Sequence, residues 1–273
     1  MLTTLQQAIN EIRAPYEAVA GIGVACAGQI DPVTGVVVQA PNLDWHDVPL
    51  AATLRDAFSV PIAVENDVRA AAWGEFRFGA GAGARSLIAV FVGTGVGSGA
   101  VIDGRLWRGA GNAAGEVGHT QIVPDGRPCR CGQRGCLEQY VSGNGFQRRF
   151  ADALAAGVTT RLTDLSRRDP AQLTAAMVAA AAEAGDDFAR EMWADAVRYL
   201  TVGVANYVTI VNPEALIFGG GVLETVPKLA DLASAGIMEL TTVLARRSLR
   251  IDRARLGNWS GVVGAAALAG DIA

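Results

Sequence analysis

Short apolar runs, bounded by glycine, proline or polar residues, alternate with helical patterns along this chain. The clearest run, AVAGIGVACAG at 18–28, is a nearly continuous series of small apolar residues, which is typical of a buried strand. Before it, residues 2–13 carry apolar side chains at the spacing of an amphipathic helix. Strands that alternate with helices in this way predict an α/β architecture.

The same reading predicts further strands and helices, and from their distribution two lobes. The further strand segments are 36–40, 61–66, 86–93, 99–104 and 214–221. The further helical segments are 68–76, the alanine-rich stretch from about 172 to 211, and 260–270. Because the region from about 115 to 200 has no strong strand pattern, we expect an N-terminal lobe over 1–110 and a C-terminal lobe over 111–273.

Charge and hydropathy argue against two classes of protein. The formal net charge is −4 and the arginines are dispersed, so the chain lacks the basic surface that general nucleic-acid binding needs. No apolar run approaches the roughly 20 residues of a membrane span, and the N-terminal residues do not have the pattern of a secretory signal. We therefore expect a cytoplasmic protein with reduced thiols and with no nucleic-acid or membrane partner.

Three of the four cysteines fall within the stretch CRCGQRGC at 129–136. One disulfide cannot pair three thiols, and a Cys-X-Cys bridge is strained, so an oxidised cluster is a poor interpretation. A metal-free surface loop is an alternative, although clustered free thiols are reactive. A structural zinc site needs four nitrogen or sulfur ligands, and one histidine lies nearby. The favoured interpretation is Zn²⁺ held by His119, Cys129, Cys131 and Cys136.

Two glutamates flank this cluster. Glu116 lies three residues before His119, and Glu138 lies two residues after Cys136. If 116–119 is helical, Glu116 and His119 share a face. A metal that gathers these side chains would build a site for a polyhydroxylated ligand, because carboxylates accept hydrogen bonds from sugar hydroxyls in fixed geometry.

The cluster and its flanks resemble a known family signature. Gly-His, nine residues and then Cys-X-Cys-Gly-X-X-Gly-Cys-X-Glu is the pattern of the ROK family of bacterial sugar kinases, repressors and open reading frames, and this chain matches all of it. Further similar segments are VENDVRAAAWGE, FVGTGVGSGAVIDGRLWRGAGNAAGEVGH, VNPEALIFGGGV and VVGAAALAG, so the resemblance covers about residues 1–270. It implies an actin-like (hexokinase-like, ribonuclease H-like) ATPase fold, with two lobes that close over a cleft, and a homodimer.

Asn66 and Asp67 lie where a predicted strand ends and a predicted helix begins. Helix capping alone could explain both residue types. The resemblance implies that Asp67 is the catalytic base, which takes the proton of a sugar hydroxyl as that hydroxyl attacks the γ-phosphate. It also implies sugar contacts from Asn66, Glu116, His119, Glu138 and Asn42.

Two glycine-rich segments are expected on the nucleotide side. GTGVGSG at 93–99 could be a plain hairpin, or its glycines could present backbone N–H groups to an anion. The resemblance implies that it binds phosphate through Thr94 and Gly95, and that Gly219, Gly220 and Gly221 lie close to the adenosine. The cofactors implied are ATP with Mg²⁺, beside structural Zn²⁺.

The chain departs from the family pattern at its N-terminus. ROK kinases begin with a strand and an Asp-X-Gly-Gly-Thr turn that positions the phosphates, and this chain begins at the helix that follows. We therefore expect an N-terminal sheet that lacks three strands. Two interpretations are open, namely an ordinary kinase whose first 35 or so residues lie outside this sequence and a natural short form that binds sugar without phosphorylating it.

The function implied is ATP-dependent phosphorylation of a hexose, at the 6-OH of glucose or a close relative. The alternative is a sugar-binding ROK regulator or a non-catalytic sugar sensor. Regulators of the family carry a winged helix-turn-helix before the kinase-like portion, and the 273 residues contain none.

Overall fold

The structure is a computed structural model that describes residues 2–16, 18–40 and 42–273. The strands within these residues are β1 (Ile22–Cys26), β2 (Gln29–Ile30), β3 (Val37–Ala40), β4 (Trp45–Val48), β5 (Ile62–Asn66), β6 (Leu87–Val92), β7 (Val96–Ile102), β8 (Arg105–Leu106), β9 (Ala215–Gly219) and β10 (Arg250–Arg253). The α-helices are α1 (Leu2–Arg13), α2 (Leu50–Phe58), α3 (Asp67–Phe78), α4 (Glu138–Val141), α5 (Gly143–Ala155), α6 (Leu162–Leu165), α7 (Ala175–Glu183), α8 (Asp187–Val211), α9 (Gly221–Thr225), α10 (Pro227–Leu240), α11 (Val243–Ser248) and α12 (Ser260–Gly270). Short 3₁₀ helices span Val117–His119, Pro170–Gln172 and Gly257–Trp259.

The chain divides into two compact units. Unit 1 comprises residues 1–84, 99–114 and 254–273, and unit 2 comprises 85–98 and 115–253. This division differs from the expected lobes, 1–110 and 111–273, mainly at the C-terminus. The physical reason is that α12 packs against α3 and β1 of unit 1, so the last residues return to the N-terminal part of the chain.

Unit 1 contains a parallel pair of strands, β1 and β5, in register from Ile22 opposite Ile62 to Cys26 opposite Asn66. A separate antiparallel sheet, β2-β3-β4, follows β1. The apolar face of α1 packs on the core of this unit, as its 3.6-residue periodicity predicts.

Small residues allow α12 to approach α3 and β1 closely. A Cβ atom on Gly264 would lie 1.7 Å from the carbonyl oxygen of Ala70 on α3. A Cβ atom on Gly23 of β1 would lie 1.9 Å from the carbonyl oxygen of Ala265. Small residues in 260–270 are thus needed because the backbone of α12 lies close to the backbones of α3 and β1. The alanines among them also favour a helix.

In unit 2, strands β10, β9 and β6 lie side by side in that order, and β6 and β10 each pair in parallel with β9. The long helix α8 packs against α7, α4 and α10. Between Trp107 and Glu214, where every residue is described, there are helices and loops without a named strand, as expected for the middle of the chain.

Several element boundaries differ from the sequence-based expectation. The strand expected at 99–104 begins earlier, at Val96, so the last four of the seven residues of GTGVGSG lie within β7. The helical stretch 172–211 is two helices, because the Asp186 side chain accepts a hydrogen bond from the backbone of Ala189 and starts α8 anew. Strands β2 and β4 and helices α2, α5 and α10 were not predicted. Within the described residues, no helix is both long enough and apolar enough to cross a membrane.

Candidate functional site

Asn66 and Asp67 lie at the junction of β5 and α3. The Asn66 Oδ1 atom accepts hydrogen bonds from the backbone N–H groups of Val68 (3.0 Å) and Arg69 (3.1 Å), so the expected helix capping is confirmed. Its Nδ2 atom donates to the Gly28 carbonyl at 3.3 Å and to Asp67 Oδ1 at 3.0 Å. The capping residue therefore also orients the half-buried Asp67 carboxylate at the carboxyl end of the strand.

A buried carboxylate supports this junction from the preceding position. Glu65 is 3% exposed, and its Oε1 and Oε2 atoms accept from Arg69 Nε at 2.9 Å and Arg108 Nε at 2.7 Å. Glu65 Oε1 also accepts from the backbone N–H of Asn66 at 2.9 Å. Sequence analysis did not single out Glu65. The available signal was a charged residue inside the apolar strand PIAVEN, which requires a partner if it is buried.

The Cys/His cluster assembles in unit 2. One possible ligand atom from each of His119, Cys129, Cys131 and Cys136 lies within 4.8 Å of all the others. Cys129 Sγ lies 3.7 Å from His119 Nδ1, and the Sγ atoms of Cys131 and Cys136 are 3.6 Å apart. These separations suit a tetrahedral ion, since bonds of about 2.3 Å place neighbouring sulfur ligands about 3.8 Å apart. The donor set therefore fits zinc.

Backbone conformation in the loop brings the three thiols together. Gly132 and Gly135 have φ values of +91° and +75°, a region that favours glycine. A Cβ atom on Gly135 would lie 1.7 Å from the carbonyl oxygen of Val123, so no other residue fits there without movement. The loop closes on the residues after His119 through a hydrogen bond from Leu137 N to Thr120 O at 3.0 Å.

The side chain of Gln139 contacts the cluster from outside the ligand set. Gln139 is 1% exposed, and its Nε2 atom donates to Cys129 Sγ at 3.3 Å. Its Oε1 atom accepts from an Arg148 guanidinium N–H at 2.7 Å. Amide donors of this kind orient a thiolate ligand and stabilise its negative charge. The sequence offered no pattern for this contact beyond the position of Gln139 next to Glu138.

Glu116 precedes a single turn of 3₁₀ helix, Val117–His119, whose last residue is His119. The backbone N–H of His119 donates to the Glu116 carbonyl at 3.0 Å, and a shared face for the two side chains stays a prediction. Because His119 presents Nδ1 to Cys129, its Nε2 atom is left for another partner.

Glu116 also affects Tyr207. Burial raises the pKa of Tyr207 to about 12, a hydrogen bond with the Ser98 hydroxyl opposes that rise, and the negative charge of Glu116 adds to it.

Glu138 links the end of the Cys/His loop to the glycine-rich turn after β6. Its Oε2 atom accepts from the backbone N–H of Val96 at 3.1 Å. A Cβ atom on Gly95 would lie 2.7 Å from the same oxygen, so glycine is needed for this approach. A residue expected to bind sugar and a loop expected to bind phosphate therefore touch directly, which the sequence did not reveal.

The two predicted nucleotide segments lie next to each other. Strands β6 and β9 are parallel, so the turn containing Thr94 and Gly95 and the segment Gly219–Gly221 both leave the carboxyl edge of the sheet. Gly220 has a φ of +92°, and a Cβ atom there would lie 2.6 Å from the Val92 carbonyl oxygen. The space beside Gly220 is thus filled by the Val92 backbone, whereas a Cβ atom on Gly221 would have no atom within 4 Å.

The predicted site residues are divided between the units. Asn42, Asn66 and Asp67 belong to unit 1. The remaining residues belong to unit 2, where the structure brings together the four possible metal ligands, joins Glu138 to Gly95, and sets Gly93, the residue before Thr94, near Gly221. Asn42 is exposed between β3 and β4. It takes no part in the hydrogen bonds of Asn66 described above.

Solved structures with this architecture define the class to which the chain belongs. A ROK family glucokinase from Streptomyces griseus, in complex with glucose and AMPPNP, superposes with a TM-score of 0.78 at 34% identity and covers 98% of this chain and 88% of its own. The fold is the α/β actin-like ATPase fold, as expected from the sequence.

Within that class the chain belongs to the ROK family, whose family model matches residues 1–272. A glucokinase from Streptomyces coelicolor is 34% identical over 98% of this chain and 86% of its own length. A xylose repressor from Caldicellulosiruptor bescii is 31% identical over 97% of this chain and 66% of its own length. The family thus includes kinases and repressors that both align along nearly the whole chain.

Proposed function

We propose that this chain is an ATP-dependent hexose kinase that phosphorylates glucose or a close relative at the 6-OH. The observation that carries the proposal is the 34% identity to a glucokinase across 98% of the chain, with the carboxylate of Asp67 at the end of β5. The structure of the related enzyme from Streptomyces griseus contains glucose and AMPPNP. These are the sugar substrate of the proposed reaction and an analogue of its phosphate donor, ATP.

In the proposed mechanism, Asp67 is the general base. Its carboxylate accepts the proton of the sugar hydroxyl while the hydroxyl oxygen attacks the γ-phosphorus of ATP. The new O–P bond forms as the bond from the γ-phosphorus to the β,γ-bridging oxygen breaks, and ADP leaves. The hydrogen bond from Asn66 Nδ2 to Asp67 Oδ1 holds the base in a defined orientation.

Sugar binding is assigned to side chains that accept or donate hydrogen bonds. Carboxylates at Glu116 and Glu138 would accept from sugar hydroxyls, and the Nε2 side of His119 would face the sugar while Nδ1 faces the metal. Asn66 and Asn42 complete the proposed set. Zn²⁺ on His119, Cys129, Cys131 and Cys136 would fix the loop and the tautomer of His119.

Nucleotide binding is assigned to backbone groups. The N–H groups of Gly93 and Val96 are already used, by Gly95 O and Glu138 Oε2 respectively. The amides of Thr94 and Gly95 are the groups proposed to bind phosphate, and Gly219, Gly220 and Gly221 are proposed to lie against the adenosine. Mg²⁺, bound with ATP, would neutralise charge on the phosphates.

A coupled ADP-release assay with glucose and Mg²⁺-ATP tests the proposal. The Asp67→Asn variant should lose about 10²–10⁴-fold in kcat, because it cannot take the proton. A matched control is Asp56→Asn, an exposed carboxylate on α2. Turnover by the parent chain that survives Asp67→Asn unchanged would refute the role of Asp67.

A sugar-binding regulator or sensor is the second candidate, and the observation that favours it is the 31% identity to a xylose repressor over 97% of the chain. It predicts glucose or xylose binding by calorimetry without ADP release. A homodimer and a cytoplasmic location are further predictions.

A further inference from the structure

A cavity of about 790 Å³ opens within unit 1, against the edge of β5 that is not paired with β1. Four consecutive residues of that strand, 62–65, line it, together with side chains from α2, α3 and the segment 104–112. Its volume lies within the range of about 300–1,000 Å³ that is usual for small-molecule sites.

The cavity is distinct from the residues proposed for catalysis. Neither Asn66 nor Asp67 lines it, and Asn42 does not. Glu65 does, and on a strand the side chains of Glu65 and Asn66 point to opposite faces. The four lining residues come from both faces of β5, so the cavity lies along the free edge of the strand, and the Asn66 and Asp67 side chains are outside its lining.

Two buried polar atoms of lining residues lack a hydrogen-bond partner among the described residues. Asn112 is 4% exposed, and its Nδ2 atom donates to the Ile30 carbonyl at 2.7 Å, which leaves Oδ1 without a donor. Trp73 is 7% exposed, and its Nε1 atom has no acceptor. A hydrogen bond left unmade at a buried atom is unfavourable, and hydroxyl groups could complete both, since a hydroxyl donates and accepts.

The carboxylates that line the cavity are already satisfied. Asp31 Oδ1 accepts from the backbone of Val33 and from Thr34. Glu65 binds two arginines, as described above, and Asp271 Oδ1 accepts from an Arg77 N–H at 2.8 Å. Glu65 and Asp271 are therefore paired with arginines, whereas Asp31 accepts from neutral donors and keeps its negative charge.

Two lining arginines are not paired in this way. Neither Arg55 on α2 nor Arg105 on β8 makes an ion pair or a side-chain hydrogen bond with any residue that the structure describes. The lining holds three arginines and three carboxylates, so its formal charge is balanced, and the exposed N–H donors of Arg55 and Arg105 are the ones left for a ligand. Guanidinium groups bind phosphate and carboxylate through paired hydrogen bonds.

We propose that this cavity binds a small anion that carries hydroxyl groups, which is the chemistry shared by sugar phosphates and sugar acids. Arg55 and Arg105 hold the anionic group, and hydroxyls of the ligand donate to Asn112 Oδ1 and accept from Trp73 Nε1. The proposal does not depend on phosphoryl transfer.

Calorimetric titration of the full chain tests this site, with glucose 6-phosphate, gluconate and inorganic phosphate as separate probes. Saturating glucose is present throughout, so that the proposed sugar site is occupied. We expect at least one of the two hydroxylated anions to bind, the identity of the binder distinguishing a phosphate from a carboxylate anchor. The Arg55→Ala/Arg105→Ala variant should weaken that binding by about tenfold or more, which corresponds to the loss of charged hydrogen bonds.

Two variants separate the site from general effects. Arg247→Ala removes an exposed arginine of unit 2 and should leave the affinity unchanged. Trp73→Phe keeps an aromatic ring but removes the N–H donor, and it should weaken binding of the hydroxylated anion while glucose affinity is retained. Absence of binding by both hydroxylated probes overturns the proposal. Equal affinity for inorganic phosphate, or unchanged affinity in the double arginine variant, overturns it as well.

Discussion

Gln139 shows how a single buried side chain can control the proposed zinc site. It joins the guanidinium of Arg148 to the thiol of Cys129 through one amide, and it has almost no exposure to solvent. Its oxygen and nitrogen are both used, so the amide has one productive orientation. The metal-facing sulfur of Cys129 is thereby held by a donor outside the cluster.

We predict that Gln139→Leu lowers zinc affinity by about 10–100-fold, because it removes the N–H donor to Cys129 Sγ while keeping similar bulk. Competition with a chromogenic chelator measures the affinity. Gln172→Leu, at an exposed position, is the control and should retain the parent affinity. An unchanged zinc affinity in Gln139→Leu would show that the amide does not support the site.

Tyr207 gives a residue-scale prediction about pH. Its pKa is raised to about 12 in the folded chain, mainly by burial, whereas tyrosine in an unfolded chain titrates near 10. The stabilisation from this difference is present below about pH 10 and is lost as pH rises towards 12, because the unfolded chain ionises first. Relative to the parent, Tyr207→Phe should lose less stability between pH 9 and 11.5, by on the order of 1–2 kcal/mol in urea unfolding. Parallel losses in the two proteins would contradict this.

Among the elements, the contact between α12 and α3 depends most directly on small residues. Gly264 and Gly74 lie where the two helices cross, and a Cβ atom on Gly74 would be 2.4 Å from the carbonyl oxygen of Ser260. The buried carboxylate of Glu75 adds hydrogen bonds to the backbone of Leu256 and to Ser260 Oγ, both at 2.9 Å. The C-terminal helix is thus anchored by close packing along the helix and by a buried acceptor at its start.

We predict that Gly264→Ala destabilises the protein by about 1–3 kcal/mol, because the added methyl group overlaps the Ala70 carbonyl oxygen. Gly270→Ala lies in the same helix with no atom within 4 Å of the new Cβ, and it should be neutral or slightly stabilising. Equilibrium urea unfolding of both variants provides the comparison. Equal stability of the two would contradict the packing argument.

At the scale of the whole molecule, the proposed metal site connects distant parts of the chain. The His119 turn and the cysteine loop are joined through the ligand cluster, and Glu138, two residues after Cys136, reaches the turn after β6. The proposed zinc ion would therefore stabilise together the side chains of unit 2 that are proposed to bind sugar and the turn that is proposed to bind phosphate.

We predict that Cys131→Ser lowers the zinc content below one ion per chain and weakens glucose binding by at least about tenfold, because a site with three ligands holds the loop poorly. Metal analysis and calorimetry measure the two quantities. Cys26→Ala removes the cysteine that lies outside the cluster and should leave the zinc content unchanged. A zinc-free Cys131→Ser protein with the parent glucose affinity would refute the coupling of metal to sugar.

The local features of this protein were readable from its sequence. Four of these features depend only on residues that are close in the chain. They are the periodicity of residues 2–13, the apolar run that becomes β1, the capping position of Asn66, and the spacing of His119 to the cysteines. Such patterns predict elements and ligand sets because their geometry repeats over a few residues. The family signature extended this reading to the whole fold, and that expectation is confirmed.

Only the tertiary structure decided which distant residues meet. Four features join segments that are far apart in the chain. They are the packing of α12 in unit 1, the ion pair of Glu65 with Arg108, the hydrogen bond from Val96 N to Glu138, and the cavity beside β5. No short-range pattern encodes these contacts, because each depends on how packed elements bring their side chains together. Gly95 and Gly264 are required by that packing, because a side chain at either position would overlap an atom from a distant part of the chain. The sequence alone does not show which atom that is.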